Sequence, residues 1–251
     1  MEAADGYYVK SVEKAFAVLG TFTLNVPEHT VSSAAAAAGI SRAAARRFLL
    51  TLRDLGYLGF DGTTFRLAPR TLDIGSSFLA HLSLPHAAEP HLKQLSADLG
   101  ETTSLCILDG SDVVYVSRIT SPRLMRVAVN VGTRFPAWAT SMGRVLLASL
   151  PEAEQEAYFD TVELLPYTAH TVRTVEELRK AVHDAGDRGW SRVADELEDG
   201  LRGVAVPVRS GDGTVVAAAN VSLQLHSSAR AEETVIPPLR AAADRIGRDL
   251  G

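Results

Sequence analysis

The stretch from Thr30 to Leu67, TVSSAAAAAGISRAAARRFLLTLRDLGYLGFDGTTFRL, leaves the chain few ways to fold. It reads as two helices joined by a tight turn and followed by a small β-hairpin. Ser32 or Ser33 supplies a hydroxyl to the free first-turn amides of a short alanine-rich helix. Gly39 ends that helix where a left-handed residue is needed, and Ile40 adds an apolar plug. Ser41 then caps a second helix, whose apolar positions Ala45, Phe48, Leu49, Leu52 and Leu55 form one stripe. That stripe turns Ala43, Arg46 and Arg47 away from the core and leaves Arg42 at its rim. Gly56 stops the helix, and Tyr57–Phe60 and Thr64–Leu67 flank Asp61-Gly62 as a two-stranded hairpin with a DG turn. A helix-turn-helix with arginines on its second helix and a wing behind it is a DNA-reading unit. The competing reading is three packed helices with arginines in water.

Charge decides little in total and more in placement. Residues 1–80 hold 8 Lys+Arg against 7 Asp+Glu, so of the overall −5 the rest of the chain carries −6. DNA contact needs donors that reach base edges and cations that hold phosphates. The planar arginine fork matches the two major-groove acceptors of guanine. Arg42 and Arg46 are therefore expected at bases or nearby phosphates, and Arg47 at phosphate. Ser41 offers a hydroxyl and a positive helix N-terminus to phosphate, and Arg66 on the wing tracks the backbone or minor groove. Arg53 is read instead as solvated or paired to Asp54.

Around this module the pattern is α+β. A first helix, Val9–Thr23, carries Val12, Phe16, Val18 and Leu19 as its bracing side. From Pro69 a connector helix places Leu72, Gly75, Phe78, Leu79 and Leu82 along one side until Pro85, and connectors of this kind are where dimers form. A second module opens with a helix over Pro85–Leu99. Then come a hairpin (Thr103–Leu108, Val113–Ser117), a third strand over Met125–Val131 and a loop over Gly132–Thr140. Helices follow at Ser141–Leu150, Glu152–Phe159 and Val175–Ala185, the last with Thr174 and Glu177 in capping-box register. Strands Gly203–Arg209 and Val215–Leu223 and a helix over Val235–Leu250 complete it. The expected result is an antiparallel sheet with one covered face.

Cys106 is the single cysteine, so no intrachain disulfide exists and a reducing, cytoplasmic setting is expected. No apolar run reaches the ~20 residues that span a bilayer, and the seven histidines lack zinc-ligand spacing. No metal or cofactor is expected. No G-x-S-x-G elbow or phosphate loop supports a hydrolase reading of the second module, and Asp195, Glu196, Glu198 and Asp199 read as a solvated loop.

These residues resemble the IclR family of bacterial transcriptional regulators over essentially the whole chain. KSVEKAFAVL (Lys10–Leu19), GISRAAARRFLLTLRDLGYL (Gly39–Leu58) and PRTLDIG (Pro69–Gly75) carry the likeness in the first half. GTRFPAWATSMGRVLLA (Gly132–Ala148), GWSRVADELEDGLRGVAVPV (Gly189–Val208) and ANVSL (Ala219–Leu223) carry it in the second. Within these, DELEDGLRGVAVPV and ATSMGRVLLA are most similar to the Pca/Pob-type branch, which controls catabolism of protocatechuate, hydroxybenzoate and β-ketoadipate. The resemblance implies a winged helix-turn-helix domain at 1–68, a linker and dimerisation helix at 69–84, and a GAF-like α+β effector-binding domain at 85–251. It also implies a homodimer or dimer of dimers on a palindromic operator in double-stranded DNA, with a small organic acid as effector. Many members place Ser and Thr where this chain has Ala43 and Ala44, which leaves methyl contacts beside Arg42, Arg46 and Arg47.

The resemblance further places an effector pocket between the sheet and the Phe135–Met142 loop. Thr140, Ser141 and Met142 fall at a helix start whose free amides suit a carboxylate. Leu201, Gly203, Asn220 and Ser222 align with family pocket positions, and Asn220 and Ser222, two apart on a strand, share a face. Val193 stands where keto-acid-binding relatives have Asp, and Gly203 where some have Cys; both departures are expected to make room for a bulkier, less polar acid. Trp138 either stacks on an aromatic ligand or plugs the core. Arg134 is either a second counter-charge or a solvated loop residue, and alternation turns Arg202 away from the pocket. An orphan regulator with an empty pocket is the remaining alternative.

Overall fold

The computed structural model describes residues 7–121, 129–223 and 231–250. The chain divides into two compact units at His81/Leu82.

In the first unit, α1 (Lys10–Gly20) leads to β1 (Glu28–His29), α2 (Val31–Ala37), α3 (Arg42–Asp54), β2 (Leu58–Phe60), β3 (Phe65–Leu67) and α4 (Leu72–His81). The cap of α2 is Thr30, not Ser32 or Ser33: its hydroxyl accepts from the Ser33 amide while Ser33 Oγ accepts from the Thr30 amide. Thr30 is the last extended residue, which puts Ser33 at the third helical position of a reciprocal box. Gly39 is left-handed at φ +64° and the Ile40 amide returns to Ala35, closing the turn. Ser41 caps α3 by accepting from the Ala44 amide. Ala45, Leu49 and Leu52 are buried against Val18, Phe22, Ala34, Leu58 and Phe65.

Three details depart from expectation. The wing gains β1, whose Glu28 and His29 pair with Arg66 and Phe65, giving the sheet order β1-β3-β2. Two residues carry no period, so nothing announced this strand. Its His29 is a structural residue, bonded to Ser33 Oγ and Thr21 O and set edge-on to Phe22. The wing loop is longer than a DG turn, since Phe60 pairs with Phe65 and the Asp61 carboxylate collects the Thr63 and Thr64 amides at 2.8 Å. On α1 only Val18 is buried, while Val12 and Phe16 are exposed.

The second unit begins with α5 (Ser83–Leu99), which opens two residues ahead of Pro85; a first turn needs no donor there. The remaining elements are β4 (Thr102–Asp109), β5 (Asp112–Ile119), β6 (Arg134–Pro136), α6 (Ser141–Leu147), α7 (Glu152–Thr161) and α8 (Val175–Arg188). They are followed by β7 (Ser191–Ala194), β8 (Arg202–Arg209), β9 (Val215–Leu223), α9 (Ala231–Thr234) and α10 (Ile236–Asp249). The sheet is antiparallel in the order β6-β5-β4-β9-β8-β7. It is covered on both faces rather than one: α5 and α10 pack on one side and α6 on the other, backed by α8. That explains why β8 and β9 are apolar almost throughout, with Val204–Val206 and Ala217–Leu223 buried. Of the strand expected over 125–131, residues 125–128 lie outside the described set, and 129–131 form loop and turn. The edge strand is β6 instead. Thr174 and Glu177 form the reciprocal box at the start of α8. No described helix is long and apolar enough to cross a membrane.

Candidate functional site

The first unit presents Arg42, Ala43, Arg46 and Arg47 as an exposed face of α3, with Ala44 half-buried at its side. The burial of Ala45, Leu49 and Leu52 fixes this orientation, because the opposite side of the helix has nowhere else to point. Arg47 and Ala44 border a groove shared with Lys10, Lys14 and Phe16 of α1, so three cations gather near one edge. Arg66 is exposed on β3, with its stem laid over Gly59 and Glu28 opposite it. Arg53 donates twice to Asp54, which takes it out of this set. Arg70 caps the α3 end by donating to Leu55 O at 2.8 Å and lies over the Tyr57 ring.

The second unit holds a small cavity, open at its mouth, against the α6 face of the sheet. Thr140, Ser141, Met142, Val193, Leu201, Gly203, Asn220 and Ser222 all line it, joined by Tyr115, Phe135, Ala139, Leu197 and Arg202. The elements converge because α6 sits very close to the turn before it. A Cβ on Gly143 would lie 2.0 Å from Ala137 O, so only glycine permits the approach that aims Ser141 and Met142 at the sheet. Thr140 caps α6 by accepting from the Gly143 amide at 3.0 Å.

One end of the cavity is polar and internally bonded. The Asn220 amide donates to Val204 O at 3.0 Å and to Ser141 Oγ at 3.3 Å, and Ser222 Oγ donates to Asn220 Oδ1 at 3.4 Å. The other walls are apolar or aromatic. Burial pushes the Tyr115 hydroxyl above its ordinary range, so it stays a neutral donor and acceptor at working pH. Cys106, behind Met142, is likewise raised by burial and remains a thiol 3.2 Å from the Met142 sulfur.

Sequence models place this constellation in a family. That of the IclR helix-turn-helix domain matches residues 11–62, and that of the bacterial transcriptional regulator IclR C-terminal domain matches residues 76–248. The chain belongs to the IclR family of transcriptional regulators. Within the IclR family it is 36% identical over 243 residues to the Pca regulon regulatory protein of Pseudomonas putida, across 96% of this chain and 84% of that one. A crystal structure of a transcriptional regulator from Rhodococcus sp. RHA1 shares 43% identity, with a TM-score of 0.84 over 97% of this chain and 98% of that one. An IclR homologue from Microbacterium hydrocarbonoxydans, crystallised with 4-hydroxybenzoate, shares 27% identity with a TM-score of 0.81 over 96% and 98%. The protein is a DNA-binding regulator and not an enzyme.

In this IclR regulator several sequence-derived roles change. Trp138 does not line the cavity: it is buried, stacked on Tyr167 with ring centres 5.7 Å apart, and its amide donates to Tyr158 Oη. Gly203 does not leave open room, because a Cβ there would lie 2.8 Å from Asn220 Nδ2 and 3.3 Å from Ser141 Oγ. The missing side chain admits that polar pair. Arg134 is exposed and held by Asp109 and Asp112, away from the pocket. Arg202 borders the cavity despite alternation; as the first residue of β8 it adjoins the 195–201 loop, where the ladder ends.

That loop is not simply solvated. Glu198 and Asp199 are exposed, but Glu196 is buried and takes two hydrogen bonds from the buried Arg144, at 2.6 and 2.9 Å. Asp195 pairs with Arg202 at 2.6 Å. Burial alone would raise the Asp195 carboxyl, yet the Arg202 and Gly200 donors outweigh it and hold it below its ordinary value. Thr168 and Thr171 donate to the Asp195 and Glu196 carbonyls. The loop thereby sets Leu197 and Leu201 against the cavity. An acidic run gives no hint of this, since the partner Arg144 lies 52 positions away.

Proposed function

We propose that this regulator senses a mono- or dicarboxylic intermediate of aromatic-acid catabolism, of the protocatechuate, hydroxybenzoate or β-ketoadipate kind, and couples its binding to operator occupancy. The observation that carries the reading is the cavity itself. A short polar end, Ser141–Asn220–Ser222, faces walls of Tyr115, Phe135, Met142, Val193 and Leu201, which suits an acid with a ring or carbon chain. The Pseudomonas Pca regulon relative and the 4-hydroxybenzoate-bound homologue support the same class.

On DNA, Arg42 and Arg46 read base edges or nearby phosphates, Ala43 and Ala44 give methyl contacts, and Ser41, Arg47 and Arg66 hold the backbone. The operator is palindromic and the protein binds it as a homodimer or dimer of dimers. Exposed Leu72, Ile74 and Phe78 on α4 support an interface there, because so much apolar surface on one short helix is costly in water. A melting screen tests the effector. Ligand that prefers the native state adds about 2.7 kcal/mol at a hundredfold excess over Kd. The aromatic-pathway acids raise Tm above the effect of glyoxylate or pyruvate, and Ser222→Ala or Asn220→Ala shrinks the rise. Stabilisation by glyoxylate or pyruvate alone contradicts the reading.

A further inference from the structure

The cavity is small and, as it stands, has room for roughly two water molecules. An acid with a ring therefore enters only if a wall yields. Most of the walls are fixed. Tyr115, Val193 and Asn220 sit within the hydrogen-bonded sheet, and Ser141 and Met142 open α6, which Gly143 holds against Ala137. One wall differs: Leu197 and Leu201 come from the 195–201 loop, which is neither helix nor strand. The same loop borders the mouth. Phe135 and the lining residues of 197–203 are part-exposed, whereas Tyr115, Ser141, Met142 and Asn220 are buried.

The loop is pinned at its root and latched at its return. At the root, Glu196 is buried, its carboxylate takes both Arg144 bonds, and Thr171 donates to its carbonyl at 2.6 Å. The chain then runs through exposed Glu198, Asp199 and Gly200, and Asp195 holds it where it comes back. Asp195 Oδ1 accepts from the Gly200 amide at 2.7 Å, and Oδ2 lies 2.6 Å from Arg202 Nη2. The Asp195 amide donates to Leu201 O at 2.9 Å. Asp195 makes this reach from a left-handed backbone, φ +62°, the one non-glycine residue so placed among those described; Gly200, at φ +89°, supplies a pivot. The Arg202 and Asp195 side chains are 18% and 15% exposed, so water reaches this pair more readily than the buried Glu196 root. The return is the end that gives.

We propose that residues 197–201 form a flap over the effector cavity, rooted at Glu196 and latched by the Asp195 carboxylate on Gly200 and Arg202, and that release of the latch admits the effector beneath Leu197. The flap rests on the reading of this cavity as the effector site and adds how that site opens. Only a few residues unlatch, so the opening is local and exposes little surface.

The test needs no effector. A parent chain carries Ser222→Cys on the cavity wall and Cys106→Ala to remove the native thiol, and it is reacted at full length with 4,4′-dithiodipyridine, a ring-bearing reagent. The thiolate attacks the reagent's disulfide, which leaves a mixed disulfide on the protein and releases a coloured pyridinethione. The parent reacts slowly, at a rate flat in dilute urea, because a local opening exposes too little surface to respond. Adding Asp195→Asn, which tolerates the left-handed backbone and loses the charge facing Arg202, speeds the reaction about 10-fold. Circular dichroism reports folding; should that variant not fold, Leu197→Ala, which keeps the latch and thins the flap, gives the same direction of change. A folded variant that reacts at the parent's rate overturns the flap. So does a rate that climbs with urea as steeply as global unfolding, or a parent thiol as fast as in the unfolded chain. No acid takes part, so such a result leaves the organic-acid reading standing, whereas a melting screen that fails strikes the choice of acid alone.

Discussion

Glu196→Gln keeps the shape of a buried side chain and removes its charge. In the native state the Arg144 guanidinium donates two hydrogen bonds to that carboxylate and a third, from Nε, to Trp138 O at 3.1 Å. The two side chains are only 5% and 11% exposed, so water cannot take over the lost partner. Glutamine retains one acceptor and turns its NH2 towards a cation. Leaving such a charge uncompensated costs about 3–5 kcal/mol, a large part of the ~5–15 kcal/mol that holds a typical domain together. Urea unfolding followed by circular dichroism reads the loss directly. Arg144→Met alone is costly for the converse reason. The double variant, with no charge left to strand, loses at least about 1 kcal/mol less than the sum of the singles. Additive losses, or a Glu196→Gln effect within ~0.5 kcal/mol, would mean that the ion pair does not hold the loop and leave the Thr168 and Thr171 bonds as its anchors.

Three further outcomes are expected. Arg46→Ala weakens binding to an operator by about 1–3 kcal/mol and relaxes specificity at the base pair it reads, as gel-shift titration on specific and random duplexes reports; equal operator affinity removes Arg46 from the interface. Phe78→Lys on α4 moves light-scattering mass from dimer towards monomer at micromolar concentration, and an unchanged dimer places the contact elsewhere. Hydrogen bonds from Thr64 and Thr63 lower Asp61 to about 2 from 3.8, and Asp195 is lowered too, so their stabilisation is present above the unfolded value and fades as pH falls through the folded one. Denaturant midpoints should drop between pH ~4 and ~2, less so in Asp61→Asn, and a flat profile there contradicts the sign.

The DNA-reading half was largely legible because it is built from local signals. The Ser41 cap, the Gly39 turn and the Ala45–Leu49–Leu52 stripe each act within a few residues, and the structure follows them. What failed there had no period to read, as with the two residues of β1, or lay one turn off, as with Thr30. In the sheet domain the polar end of the pocket was visible through the i, i+2 spacing of Asn220 and Ser222. The rest depended on partners far apart in sequence. Whether Glu196 is solvated depends on Arg144, whether Gly203 makes space depends on Asn220, and whether Trp138 meets ligand depends on Tyr167. Arg118 lies opposite Ser104 and Tyr115 opposite Cys106, so the two share a face through a β5 bulge that periodicity cannot announce.

The proposed coupling of acid binding to DNA binding is read from operator affinity with and without ligand. A duplex selected from random sequence is titrated with the protein alone and with saturating protocatechuate, 4-hydroxybenzoate or β-ketoadipate. A coupling free energy of about 1–3 kcal/mol shifts the midpoint some 5- to 150-fold for at least one acid, and linkage requires the duplex to shift that acid's Kd by the same factor. An operator midpoint that stays put with every acid, while the acids do bind, would contradict the claim.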